Sequence, residues 1–520
     1  MMKGTLINPS ISDFEKLITQ NYKYVDKTNI IYDLIQNCGT YFLNRPRRFG
    51  KSLIISTIEK FFLGKKNLFE NLFIYNKIDN WEEYPIIKFD FSIFLIEKKE
   101  ENLIDLINYY INQAEDIYQI ESKEKNYIFR LSDFIIKCSK KYNKSIVVLI
   151  DEYDAPLINN LNNKELFEEI LKILRNFFSI FKSLQSKIRF VFITGITKFS
   201  IDNLFSGANN IFDISDKKEY INICGFTEEE IQKNFKKEIE EIAYEKNLDL
   251  NLCYNDIKKY YDGFKFSCNQ NEDLYNPIDI LGFIQFKRFD FFWFKSAIPS
   301  FLIKYIKTND ILLQSLIEKN YNLNDFNQID TFKMIPISIF YQIGYLTIDK
   351  YDEMKKLYKM KFSNYEIEFN FFNYIKDFFF NYLFKENEFD ILKFKEELNL
   401  GQVNNFCKRL SIFFTDNNYQ LTGNKEIYYY NCIYIFFKLL GFNSKVEIIT
   451  NNRRINMVLE TIKYIYIIEF KYNKNVEIAP KQFKNKEYYN KYLLKNKEIY
   501  LIGINFEENL NKINYKYKLL

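Results

Sequence analysis

Ser145-Ile146-Val147-Val148-Leu149-Ile150 is an apolar run rich in β-branched residues, and it ends on two carboxylates, Asp151 and Glu152. A strand with almost no polar face must be covered on both sides, the condition of a parallel sheet held between helices. Neighbouring segments repeat the pattern. Residues 40–43, 86–91 and 188–194 read as strands, and residues 53–62, 103–117 and 165–181 as helices. In the first helix Ile54, Ile55, Ile58, Phe61 and Phe62 recur at helical spacing. Strand and helix alternating from Gly39 to Asp213 predict an α/β domain with a parallel sheet.

Arg45-Pro46-Arg47-Arg48-Phe49-Gly50-Lys51-Ser52 falls directly after a predicted strand and directly before a predicted helix. A helix N-terminus offers unpaired N–H groups and the positive end of the dipole, so a loop there suits phosphate. In a Walker A loop, GxxxxGK[ST], the lysine reaches the β- and γ-phosphates and the hydroxyl ligates Mg²⁺. Gly50, Lys51 and Ser52 supply that core, while Arg45 stands where the first glycine belongs. Asp151, at the carboxyl end of its strand, is suited to the Mg²⁺ water shell, and Glu152 to orienting or deprotonating the attacking water. Each motif alone is weak: Gly-Lys-Ser arises by chance, and Asp-Glu after a strand is equally a solvated turn. Their order on suitable elements favours a P-loop NTPase domain with ATP and Mg²⁺ as ligands. Thr194 ends another strand, where it is either a γ-phosphate sensor or a capping threonine. Arg47 and Arg48 contact phosphate, reach a neighbouring subunit of a homo-oligomer, or are solvated.

The chain has 520 residues, which predicts two or three domains. Hydrophobic residues at 47% and charged residues at 27% are ordinary for a globular protein. Aromatic residues reach 19% together with much Ile, Asn and Lys, which reads as the imprint of an AT-rich genome rather than a binding surface. A net charge of +5 gives no bulk argument for nucleic-acid binding. Histidine is absent, which excludes Ser-His-Asp and Cys-His catalysis and every His-ligated metal. Seven scattered cysteines without a CxxC pair suit a reducing interior and argue against zinc modules and disulfides. Residues 1–10 carry no signal pattern, and the longest apolar stretch, 428–442, is short and broken by Asn431 and Lys438. A cytoplasmic protein with no membrane span is expected.

Three regions follow: residues 1–220 around the P-loop, 221–400 as a mostly helical lid or connector, and 401–520 as a second α/β domain. The middle region opens at Phe226-Thr227-Glu228-Glu229-Glu230, a threonine cap followed by acid in the first turn. It reads as helical to about residue 350, with one marked turn at Tyr261-Asp262-Gly263. The last region reads as a helix (426–440), three strands (445–450, 456–460, 464–471), a helix (477–493) and a strand (498–504).

Tyr24-Val25-Asp26-Lys27-Thr28, the loop from Arg45 to Leu53, and Ile150-Asp151-Glu152-Tyr153-Asp154 closely resemble the AAA-ATPase-like family of prokaryotic proteins. So do Phe205-Ser206-Gly207, Tyr261-Asp262-Gly263-Phe264 and Gln342-Ile343-Gly344-Tyr345-Leu346-Thr347, the last without an assigned role. The resemblance runs from about Phe14 to Phe506 and implies ATP binding and a C-terminal PD-(D/E)XK nuclease-like domain. The predicted element order of the last region is similar to the restriction-endonuclease-like core. There, an Asp on the second strand and Glu-x-Lys on the third converge on Mg²⁺, which lowers the pKa of a water for attack on phosphorus in DNA or RNA. Glu469-Phe470-Lys471 matches the second half, and strand alternation puts both charges on one face. The alternative for that pair is a cross-strand ion pair. Where the family has the Asp, this chain has Asn456, whose amide offers an oxygen but no charge. Glu447 and Glu460 are the candidates to compensate, and Gln482 matches a residue the family places near the site. The module is therefore expected either to cleave nucleic acid or to bind it, or a partner, without cutting.

Overall fold

The computed structural model describes residues 6–94, 101–161, 163–199, 211–293, 302, 306, 310–327, 329, 336–380, 391–415, 425–441, 443–449, 454–472, 490–493, 496–507 and 512–520. The chain divides into two compact units: Met1–Phe301 with Leu316–Glu368, and Leu302–Ser315 with Phe369–Leu520.

The first unit is built on five parallel strands: β1 (Gly39–Asn44), β2 (Ile86–Asp90), β3 (Ile146–Asp151), β4 (Ile188–Gly195) and β5 (Ile211–Asp213). Their order is β2-β3-β4-β1-β5. All six positions of β3 are buried, as an apolar run covered on both faces requires. The inserted β4 separates β1 from β3, so the loops after these strands open at one sheet edge with β4 between them. Helices cover the sheet. Lys164–Ser183 buries Phe167, Ile170, Leu171, Leu174, Phe177, Phe178 and Phe181 at spacings of three and four, and Asn163 caps it by accepting from the Leu166 amide. Each such side chain adds roughly 1.5–3 kcal/mol by leaving water.

Beyond the sheet come helices Glu228–Glu245, Leu250–Tyr261 and Pro277–Phe286. The first begins with the expected threonine cap, completed into a capping box in which Thr227 and Glu230 exchange hydrogen bonds. The helical pattern stops short of residue 350. Short β6 (Asn320–Tyr321) joins a hairpin of β7 (Leu346–Asp352) and β8 (Leu357–Phe362), in the order β6-β8-β7. Its turn contains no glycine; Lys356 takes the left-handed conformation at φ 53°, so the usual hairpin signal is missing.

The second unit contains helices Ile391–Asn399, Val403–Thr415 and Lys425–Leu439 and a sheet of β9 (Asn443–Ile449), β10 (Arg454–Glu460), β11 (Tyr464–Tyr472), β12 (Glu498–Glu507) and β13 (Lys512–Leu519). β9, β10 and β11 form an antiparallel meander, and β12 joins β11 in parallel. β13, which the sequence pattern did not announce, closes the row antiparallel to β12. One face of β11 carries Phe470 against Phe437 of helix Lys425–Leu439, ring centroids 5.9 Å apart. The other carries Ile465 and Ile467, packed with Val458, Leu501 and Tyr492. Most of the expected 477–493 helix lies outside the described residues, of which Asn490–Leu493 is helical.

Candidate functional site

The loop between β1 and helix Lys51–Phe62 is fixed from several sides. Arg48 and Gly50 take positive φ (61° and 100°), which turns the chain into the helix. A Cβ on Gly50 would meet nothing within 4 Å, so glycine is favoured there by its dihedral and not by space. Arg45 has no positive φ, and a glycine is not required at its position. Its buried guanidinium donates to the carbonyls of Asn44 (2.9 Å), Ser215 (2.8 Å) and Ile221 (3.1 Å), and lies 4.1 Å from the Phe266 ring centroid. Arg45 thus clamps the loop to the segment after β5. Phe49 packs on Phe264 and Phe266, and a Cβ on Gly225 would stand 2.5 Å from the Phe49 ring. The Arg47 carbonyl accepts from Trp293 Nε1 (3.0 Å) and Asn276 Nδ2 (3.2 Å). Gly344, in the Gln342–Thr347 motif, lies so close to Pro46 that a Cβ would come within 2.8 Å of its ring. That motif therefore backs the loop.

A cavity of about 510 Å³ opens beside it, with Arg47, Arg48, Gly50, Lys51, Ser52 and Glu152 on its wall. Lys51 is only 4% exposed, and its ammonium donates to the Arg45 and Pro46 carbonyls at 3.0 Å each. An ammonium has three donors, so two are committed to holding the loop. Asp151 ends β3 and accepts from the Thr194 hydroxyl at 2.5 Å, and both side chains are buried. Glu152 follows in a left-handed conformation (φ 49°), its amide donating to Asp151 Oδ1 at 3.1 Å. Burial pushes the Glu152 carboxyl up; Lys51 and Arg47 oppose this, while Asp151 and Asp154 add to it. Asp154 is fully buried and accepts from the amides of Ile196 and Thr197 and from the Thr197 hydroxyl, tying the β3 end to the β4 end. The elements thus bring together Arg47, Arg48, Gly50, Lys51, Ser52 and Glu152 on one wall, with Asp151 and Thr194 joined beneath the sheet edge.

In the second unit the strand register aligns Glu447 of β9, Asn456 of β10 and Glu469 of β11 directly across the sheet. Glu469 and Lys471 share one face of β11 and are 4% and 2% exposed, with Lys471 Nζ 3.9 Å from Glu469 Oε1. Asn505 of β12 pairs in register with Lys471 and is buried too. These polar residues continue the face whose other end is the apolar cluster of Ile465 and Ile467. Glu460 stands four residues from Asn456, roughly 13 Å along the strand, and its carboxylate accepts from Lys497 at 2.9 Å. Gln482 and Phe205-Ser206-Gly207 lie outside the described residues.

Residues 9–205 match the family model of predicted AAA-ATPases, and residues 424–516 that of the PD-(D/E)XK nuclease superfamily. The two matched segments are similar to those families. Together they describe a nucleotide-binding protein that carries a nuclease fold. A protein of Azotobacter chroococcum mcd 1, described as an uncharacterized protein in the vnfD 5′ region, is 28% identical over 519 residues, covering 95% of this chain and 94% of its own.

The predicted AAA-ATPase segment also contains three groups to which the motifs alone gave no role. Arg45 is a clamp, Asp154 ties two strand ends together, and Lys27 stands on the cavity wall. Lys27 and Asp154 fall within the family-like motifs, but nothing in their spacing says which side chain faces a cavity. Among the described residues no three Asp, Glu or Cys side chains are grouped to hold a metal. Among the described residues no helix is long and apolar enough to cross a membrane.

Proposed function

We propose that the first unit binds and hydrolyses ATP, and that its nucleotide state governs how the nuclease fold engages nucleic acid. What supports this is the position of Lys51 and Ser52, which open a helix at the carboxyl end of β1 and share a cavity wall with Glu152. The amides at the start of that helix and the Lys51 ammonium neutralise the β- and γ-phosphates, with Arg47 and Arg48 adding charge at the same wall. Ser52 and Asp151 are the groups to hold Mg²⁺, which when bound offsets phosphate charge. Thr194 keeps Asp151 oriented through its 2.5 Å hydrogen bond. Glu152 takes the proton of the attacking water, a role suited to a carboxyl raised by burial.

In the nuclease fold, Glu469 is the metal-side carboxylate and Lys471 the group that orients water or attracts phosphate; Asn456 pairs with Glu469 across the strands, and the family resemblance assigns Gln482 to the same site. Asn456, in register with Glu469, leaves one carboxylate fewer, which favours nucleic-acid binding over cutting. The experiment for the nucleotide site is calorimetric titration of ATP with Mg²⁺ into wild type and Lys51→Ala. ATP affinity is expected to fall at least tenfold, about 1.4 kcal/mol, at a retained melting transition. Equal affinities overturn the assignment.

A further inference from the structure

The cavity beside the phosphate loop has walls of two chemistries. Arg47, Arg48, Lys51 and Ser52 make the polar part; elsewhere Ile7, Val25, Phe226, Ile278 and Leu281 make an apolar one. Two lysines of the Lys23-Tyr24-Val25-Asp26-Lys27 segment also reach this wall, and both pair with helix Glu228–Glu245. They differ in what they have left to offer. Lys23 uses its ammonium on Glu238, on the Asn234 carbonyl and over the Phe235 ring. Lys27 is 5% exposed, and among the described residues its ammonium bonds to Glu230 only, at 2.6 and 2.7 Å to the two carboxylate oxygens. Two of its three donors are thus met, both by one carboxylate, and the third is left. Burial pushes the Lys27 ammonium down and Glu230 pulls it back up, with Cys224 and Glu272 adding smaller effects. The charges felt by Glu152 in the same cavity are instead Lys51, Asp151, Asp154 and Arg47. Lys51 and Lys27 both act on Cys224, which lines the same cavity, so one cavity runs from the phosphate loop to Lys27.

We infer that Lys27 contacts the base-and-ribose end of the bound nucleotide, and that Glu230 competes with the nucleotide for its ammonium; this rests on the nucleotide reading above. A purine offers ring-nitrogen acceptors in the plane of a flat apolar ring, which matches the buried Lys27 ammonium in a cavity also lined by Val25, Phe226, Ile278 and Leu281. Glu230 also closes the capping box at the start of helix Glu228–Glu245, accepting from the Thr227 amide at 2.9 Å. A nucleotide that draws Lys27 away from Glu230 therefore loosens the tie between the Tyr24–Thr28 motif and that helix.

The test titrates ATP and ADP separately into wild type, Lys27→Met, Glu230→Gln and Lys51→Ala, with a thermal melt of each. Lys27→Met should weaken ATP and ADP at least fivefold and by the same factor, since the contact is away from the γ-phosphate. Glu230→Gln, which frees the ammonium, should bind both as tightly as wild type or tighter. Should Lys27→Met fail to fold, Lys27→Met with Glu230→Gln removes the half-buried carboxylate left without its lysine and carries the same expectation as Lys27→Met. Wild-type affinity in the Lys27 variants overturns the inference, as does a Glu230→Gln protein weakened like Lys27→Met, which would make the pair structural. Binding that depends on Lys51 but not on Lys27 leaves the nucleotide reading intact. No nucleotide binding by wild type removes both.

Discussion

Glu152 holds a conformation that a non-glycine residue adopts only at a cost, with φ at 49° directly after a buried strand. Its side chain lines the cavity, where Lys51 and Arg47 act on its carboxyl. Glu152→Gln keeps the shape and removes the base. ATP binding should persist while turnover falls at least tenfold, about 1.4 kcal/mol in barrier; unchanged steady-state phosphate release would make Glu152 a turn residue. Asp262 is a second carboxyl raised by burial, at the C-terminal cap of helix Leu250–Tyr261. Its Oδ1 is buried without a hydrogen-bond partner among the described residues, and burial pushes its pKa up to about 7. The unfolded value is about 4, so between there and pH 7 the folded chain binds more protons than the unfolded one. Stability contributed by this group therefore falls as pH rises through that window, and the loss is complete above it. Asp262→Asn should melt like wild type near pH 4 and be more stable at pH 8, by on the order of 2–4 kcal/mol. A constant difference in Tm across that range would show that Asp262 ionises normally.

At the scale of elements, the sheet of the second unit makes a chemical claim through its register. Glu447, Asn456 and Glu469 stand side by side on β9, β10 and β11, while Glu460 is engaged by Lys497 further along β10. Glu447 is thus the better placed of the two carboxylates considered as substitutes. Asn456→Asp restores the charge with almost no change in volume, so plasmid nicking with Mg²⁺ or Mn²⁺ should be stronger in the mutant than in wild type. Strong wild-type cleavage lost in both Glu469→Ala and Glu447→Ala would show instead that Glu447 already completes the site. Cleavage by none of these proteins would leave a binding fold. Alternation along 464–471 was enough to put Glu469 and Lys471 on one face, but their neighbours across the sheet depend on hairpin register, which sequence spacing alone does not fix. The β7–β8 hairpin escaped for a similar reason: its turn relies on Lys356 where a glycine or asparagine would have announced it.

At the scale of the molecule, residues 302–315 belong with the second unit although residues 316–368 return to the first. Leu302, Ile306, Ile311 and Leu313 are buried, and Asn431 bonds both to the Leu313 amide (3.0 Å) and to the Ile311 carbonyl (2.7 Å). Losing four such side chains removes roughly 6–12 kcal/mol of apolar burial, comparable with the whole stability of a domain, about 5–15 kcal/mol. A fragment of residues 369–520 should therefore show no cooperative thermal transition by circular dichroism; a sharp one like that of the full chain would mean that 302–315 is dispensable. The sequence by itself determined the parallel sheet, the strand–loop–helix order around Gly50-Lys51-Ser52 and the placing of Glu469 and Lys471 on one strand face, because apolar periodicity and element order are local properties. Tertiary structure decided the rest. Arg45 is a clamp because the segment after β5 and the Phe266 ring, both distant in sequence, meet its guanidinium. Lys27 is paired at the cavity wall because helix Glu228–Glu245 brings Glu230 to it across some two hundred residues, |i−j| = 203. Contacts at such separations are set by how the elements pack together, and no local pattern of residue types records them.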